Sequence, residues 1–168
     1  MNYKPHPDKE STTLQCVVIT ISDTRTEETD KSGQIIQQFL TGADHEIAAY
    51  DIIKDESKAI RDRIRQLSAD PTIDAFIFNG GTGIAPRDTT YDAIAGLLTK
   101  TLPGFGEIFR YLSFQDIGSR AIASRAIAGT YRDKLIFSLP GSSNAVKLAM
   151  TELILPEMVH LVKQLKQI

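Results

Sequence analysis

Three glycines in four positions, Gly80, Gly81 and Gly83, open the segment that follows Asn79: G-G-T-G-I-A-P-R-D-T-T. Closely spaced glycines let the backbone turn so that successive N–H groups face one point. Such a nest, next to a helix N-terminus, suits a phosphate. The Gly-Lys-Ser/Thr ending of a Walker loop is absent. Pro86 stands where the last glycine of a dinucleotide fingerprint belongs. Asp88 either caps the helix that follows or, beside an anion cradle, binds a divalent cation. A second turn, L-P-G-S-S-N at residues 139–144, offers another anion-competent helix start, although Ser142, Ser143 and Asn144 also serve as ordinary caps. Ser22 and Asp23 supply a hydroxyl and a carboxylate that either meet a polar ligand or cap the next turn. Asp55, in Lys54-Asp55-Glu56, completes a pair of acids with Asp88. Two carboxylates and two amide nests describe a magnesium-nucleotide site better than an acyl-transfer site. No histidine lies in these loops, which disfavours Ser-His chemistry.

All four segments follow predicted strands. The β-branched run at residues 14–22 reads as a buried strand, with Cys16 a small buried hydrophobe inside it. Ile35, Ile36, Phe39 and Leu40 mark a helix that ends near Gly42. Residues 46–53 read as a second strand, Ile60, Ile64 and Leu67 as a second helix, and residues 75–78 as a third strand. That alternation predicts an α/β fold: a three-layer sandwich with a mostly parallel central sheet and helices on both faces. Further on, helices are expected from Thr89 or Thr90 to Leu98 and over residues 104–112. Thr89 and Asp92 have the spacing of a capping box. Residues 126–131 and 135–139 read as a hairpin around Arg132-Asp133-Lys134, giving one antiparallel hairpin strand. Two C-terminal helices follow, separated or kinked by Pro156. The tandem S-R-A-I-A at residues 119–128 has too short a period for a solenoid and is read as incidental. In parallel sheets, ligands bind beyond the carboxyl ends of the strands, where these loops lie.

Composition narrows the function classes. With 168 residues the chain is read as one domain over residues 14–168, preceded by a loose, proline- and charge-rich tail over residues 1–13. The net charge of −2 argues against nucleic acid as a partner. One cysteine and three histidines exclude an intrachain disulfide and the common zinc spacings. No apolar run is long enough to span a membrane, and the first residues lack the apolar core of a secretory signal, so a cytoplasmic location is expected.

I-S-D-T at residues 21–24, the G-G-T-G-I-A-P-R-D-T-T loop, P-G-F-G-E at residues 103–107 and L-P-G-S at residues 139–142 together resemble the MoaB/MogA family of molybdenum cofactor biosynthesis. The stretches G-F-G-E-I-F-R-Y-L-S and D-K-L-I-F-S-L-P-G-S are most like the MoaB branch. The resemblance implies a molybdopterin-binding domain that adenylylates molybdopterin with Mg-ATP, releasing pyrophosphate. It also implies self-association, as a homotrimer or homohexamer. By the same resemblance, Gly80, Gly81, Thr82 and Gly83 form the cradle for the pterin phosphate. Asp55 and Asp88 match two essential carboxylates near the magnesium and the reacting phosphates. Ser22 and Asp23 fall in the nucleotide or pterin pocket, and Pro140, Gly141 and Ser142 form a second phosphate-facing turn. Glu107 and Arg110 line the pocket or a subunit boundary. Asn79 stands where many relatives carry Thr. The alternative reading is a non-catalytic protein of the same fold that holds molybdopterin or its precursor.

Overall fold

The parallel strands are built from the most apolar segments of the chain, which are the segments able to lie buried on both faces. The computed structural model describes residues 12–167; the N-terminal tail expected over residues 1–13 falls almost wholly outside them. The first half runs β1 (Gln15–Ile21), α1 (Lys31–Gly42), β2 (Glu46–Ile53), α2 (Ser57–Leu67) and β3 (Ala75–Asn79). The second half runs α3 (Thr90–Ala95), β4 (Lys100–Thr101), α4 (Pro103–Ile117), β5 (Ile127–Tyr131), β6 (Lys134–Leu139), α5 (Ser143–Ala149) and α6 (Leu155–Lys166). The six strands are ordered β2-β1-β3-β6-β5-β4. β2, β1, β3 and β6 are parallel. β5 runs against both of its neighbours, β6 and β4. The mostly parallel sheet with a reversed hairpin strand is thus as expected.

Side chains alternate across this sheet and build two cores. On one face Cys16, Val18, Ile77, Phe137 and Leu139 meet apolar residues of α1, α4, α5 and α6. On the other, Val17, Ile19, Phe76, Phe78 and Ile136 meet Ile60 and Ile64 of α2 and Ala93 and Ile94 of α3. Burial pushes the Cys16 thiol up to about 12, so it stays protonated and serves as a small apolar filler. The order places a topological switch between β1 and β3: the chain leaves β1 toward β2 on one side and returns to β3 on the other. A crevice therefore opens at the carboxyl ends of β1 and β3, where the Ser22 and Gly80 segments begin.

Several local details differ from expectation. The capping box is not made: Thr89 precedes α3 but its side chain caps nothing there. β4 is a two-residue exposed strand, too short and polar to show in the hydropathy pattern. α4 runs five residues past its expected end and passes directly into a 3-10 helix, Gly118–Ala123. Between α5 and α6 the chain does not break; a π turn at Met150–Ile154 lets Pro156 enter in the first turn of α6, where its missing N–H costs little.

Candidate functional site

β3 ends at Asn79, and the next two residues turn with positive φ, +100° at Gly80 and +65° at Gly81. Only glycine fits. A Cβ on Gly80 would lie 2.3 Å from the Ile21 carbonyl oxygen, and one on Gly81 2.2 Å from Thr90 Oγ1 and 2.3 Å from Asp55 Oδ2. The turn brings the β3 loop against the β1 loop and against Gly141, where a Cβ would lie 3.1 Å from the Gly80 Cα. Gly80 N–H donates to the Leu139 carbonyl at 3.0 Å. Among the described residues, the N–H groups of Gly81, Thr82 and Gly83 find no acceptor. These three successive donors border a polar cleft of about 520 Å³.

Asp55 is 5% exposed and sits behind the loop, outside the cleft wall. Its Oδ1 accepts from Thr89 N–H (3.0 Å), Thr89 Oγ1 (2.8 Å) and Thr90 Oγ1 (3.1 Å). One carboxylate oxygen thus gathers the start of α3, and Thr90 N–H closes the loop onto the Gly81 carbonyl at 3.1 Å. This is where the Thr89 hydroxyl goes instead of forming a capping box. Asp88 lies in the cleft wall, and its Oδ2 accepts from Ala85 N–H at 3.0 Å. The two acids therefore hold one loop from opposite sides. Among the described residues there is no cluster of three or more acids, histidines or cysteines to cage an ion. The donor set does fit a magnesium that arrives with phosphate oxygens, since Mg²⁺ keeps several waters and takes one or two carboxylates from the protein.

Ser22 borders the cleft, and its Oγ accepts from Thr24 N–H (3.2 Å) and Arg25 N–H (3.0 Å). Asp23 borders a second surface cleft instead; its carboxylate accepts from Arg87 bidentately at 2.8 and 2.7 Å and from Asp55 N–H at 3.3 Å. The Arg87 guanidinium holds the Asp23 carboxyl below the usual carboxylate range. Pro140 and Gly141 border the main cleft; Ser142 lies outside it and caps α5 through Ala145 N–H at 3.2 Å. Glu107 and Arg110 lie on α4, away from the cleft. Arg110 instead borders an apolar depression with Tyr111, Phe114 and Ile122. So Ser22, Gly80, Gly81, Thr82, Gly83, Asp88, Pro140 and Gly141 come together, with Asp55 immediately behind.

Three arginines complete the site without having been singled out in the sequence. Arg25 borders the cleft and donates to the Gly141 carbonyl at 3.1 Å, a carbonyl that also accepts from Ser32 Oγ at 2.8 Å. Its other terminal nitrogen lies 3.4 Å from Asp30 Oδ1. Asp30 is fully buried and caps α1, accepting from Gly33 N–H (3.1 Å), Thr20 Oγ1 (2.5 Å) and Tyr50 OH (2.7 Å). Arg120, from the 3-10 helix, forms part of the far wall. Arg125 donates to Asp92 at 2.6 Å and to the Gly83 carbonyl at 3.4 Å, and its guanidinium lies 4.3 Å over the Tyr91 ring.

Residues 17–160 match the profile of a family described as a probable molybdopterin binding domain. The chain is 52% identical to molybdenum cofactor biosynthesis protein B of Bacillus subtilis over 168 residues, 99% of each chain. It is 51% identical to the protein of the same name from Staphylococcus carnosus, covering 90% of this chain and 91% of that one. Among solved structures, a molybdenum cofactor biosynthesis protein B superposes with a TM-score of 0.92 at 46% identity, covering 95% of this chain and all of that one. The tungsten cofactor synthesizing protein MoaB from Pyrococcus furiosus superposes with a TM-score of 0.83 at 35% identity, over 92% of this chain and 98% of that one.

Proposed function

The chain belongs to the MoaB/MogA family of molybdenum cofactor biosynthesis, on its MoaB side, and from that premise we propose that it adenylylates molybdopterin with Mg-ATP. The observation that carries this reading is the row of three open N–H donors at Gly81, Thr82 and Gly83, with the Asp88 carboxylate beside them. An anion cradle next to an acid makes physical sense when a cation bridges the acid to phosphate oxygens. In the reaction, an oxygen of the terminal phosphate of molybdopterin bonds to the α-phosphorus of ATP. The bond from that phosphorus to the β-phosphate bridge breaks, and pyrophosphate leaves. The second pKa of a phosphate monoester is about 6, so near pH 7 the nucleophile is already ionised and needs no strong base. What it needs is alignment and relief from repulsion against the triphosphate.

Each residue then has a task. The amides of Gly81 to Gly83 take phosphate oxygens, and Ser22 and Gly141 close the sides of the cleft. Magnesium, when bound with ATP, neutralises charge developing on the leaving phosphates. Asp88 would hold it on the protein side. Asp55 acts through the loop it ties down, holding the amides of Gly81 to Gly83 in place. We place Ser142, Asp23, Glu107 and Arg110 around the site, as a helix cap, an Arg87-linked flank and the α4 surface.

The non-catalytic alternative draws support from one observation, the commitment of Asp55 Oδ1 to three loop hydrogen bonds. One assay separates the two. Purified protein is mixed with molybdopterin and Mg-ATP, and pyrophosphate and the AMP adduct are measured. Product at a rate above the protein-free control supports the transferase; pterin binding without product selects the binding module. We also propose that the protein self-associates, through the α4 surface described below.

A further inference from the structure

The S-R-A-I-A tandem turns out to straddle the site. Its second arginine, Arg125, ties the Gly83 carbonyl to α3 through Asp92 and the Tyr91 ring. Its first, Arg120, sits five residues earlier on the 3-10 helix and forms part of the cleft wall, as does Ser124 between them. The Arg120 side chain makes no hydrogen bond or ion pair with any described residue. The wall contributed by the β1 loop carries Arg25, whose position is preset by the Gly141 carbonyl and the buried Asp30. Two arginines from separate walls thus line one cleft with the open amides of Gly81 to Gly83 and with one carboxylate, Asp88.

We propose that Arg120 and Arg25 form a two-arginine clamp for a phosphate-bearing ligand, with Arg25 preset and Arg120 the mobile jaw, so that each copy of the repeat serves the site by a different route. This rests on the phosphate-handling reading above and adds to it the residues that read charge. A guanidinium presents paired donors that match two oxygens of one phosphate, which an ammonium cannot copy. The three amides suffice to orient one phosphate; a second anionic group beside it needs countercharge, and the overall −2 balance supplies none generally. The chemistry therefore favours ligands carrying two or more phosphate charges at the cleft.

The probe is inorganic pyrophosphate, titrated calorimetrically into the full chain without ATP or pterin. Arg120→Ala is expected to weaken binding about tenfold, and Arg120→Lys to recover less than half of that loss. Arg65→Ala, which removes the same charge from exposed α2, is expected to leave the affinity unchanged and so controls for net charge. Displacement of pyrophosphate by ATP, but not by molybdopterin, assigns the clamp to the nucleotide; displacement by molybdopterin alone assigns it to the pterin phosphate. Unchanged affinity in Arg120→Ala, or no pyrophosphate binding by the parent chain, overturns the clamp even if adenylylation is observed. A tenfold loss in Arg120→Ala with no AMP adduct from the parent chain keeps the clamp and overturns the transferase.

Discussion

Gly81 and Asp88 divide the labour of the site at single-residue scale. Gly81 is required by shape: φ is +65° and a Cβ would overlap both Asp55 Oδ2 and Thr90 Oγ1. Gly81→Ala is expected to cost about 2 kcal/mol or more in stability, from backbone strain and the displaced acid. Urea unfolding measures that loss, and an unchanged midpoint would show that the turn relaxes freely. In the proposed reaction Asp88 acts by its charge. Its backbone tie to Ala85 N–H is one exposed hydrogen bond, so Asp88→Ala should leave the fold intact. We expect turnover to fall by about a hundredfold or more while pterin affinity changes less than threefold, because an interaction made with developing charge affects rate before binding. Parallel rate and pterin-binding measurements decide it; normal adenylylation in that variant removes Asp88 from the mechanism. The loop glycines and the two acids stood out in the sequence because they cluster directly after predicted strands, but only the family resemblance implied their roles. The arginines did not stand out. Arg25, Arg120 and Arg125 are ordinary surface residues until the fold brings three separate loops to one cleft, and nothing in their local spacing marks that event.

Elements fix where those residues stand, and the order of strands and helices was readable because β1 and β3 are unbroken apolar runs and α2 has a clear helical period. What escaped was short or irregular: β4, the 3-10 helix after α4 and the π turn before α6 have no periodic signature of their own. The capping box failed for a related reason. Thr89 has the right spacing, but a buried carboxylate from a distant loop competes for its hydroxyl and wins. Another long-range side chain locks the opposite end of the sheet. His45, 7% exposed after α1, accepts from Leu14 N–H through Nδ1 at 3.2 Å. That bond needs a neutral imidazole. Burial lowers the His45 pKa below 6.5, against the opposing pull of Asp44 and Asp74. An unfolded histidine titrates near its ordinary value of about 6.5, so below that pH the unfolded chain binds more protons than the folded one. Stability from His45 is therefore complete above pH of about 6.5. It falls as pH drops from there toward the lowered folded value, by at most about 1.4 kcal/mol per pH unit. Urea midpoints at pH 7.5 and 5.5 should differ more for the parent chain than for His45→Gln. Equal differences would remove His45 as the cause.

On the scale of the whole molecule, the self-association proposed above has a candidate surface. Tyr111, Phe114 and Ile117 recur every three residues along α4, and Ile122 follows on the 3-10 helix. Their exposures are 62%, 59%, 48% and 90%, in a protein whose other large hydrophobics are mostly buried. Tyr111, Phe114 and Ile122 border one apolar depression of about 440 Å³. Clustered exposed apolar side chains like these mark interaction surfaces. A second copy of the chain is the occupant we assign, in line with the oligomers that the sequence resemblance implies. Phe114→Glu places a charge in the middle of that surface without touching the buried core. It should lower the mass measured by light scattering to that of a smaller species, with unchanged circular dichroism. The 3-10 helix carries Ile122 toward this interface and Arg120 toward the cleft, so loosening one should be felt at the other. Pyrophosphate affinity of Phe114→Glu is therefore expected to fall a few-fold, less than for Arg120→Ala, and the loss should track dissociation as protein is diluted. An unchanged mass would move the interface off α4. A lower mass with full pyrophosphate affinity would show that the clamp closes within a single chain.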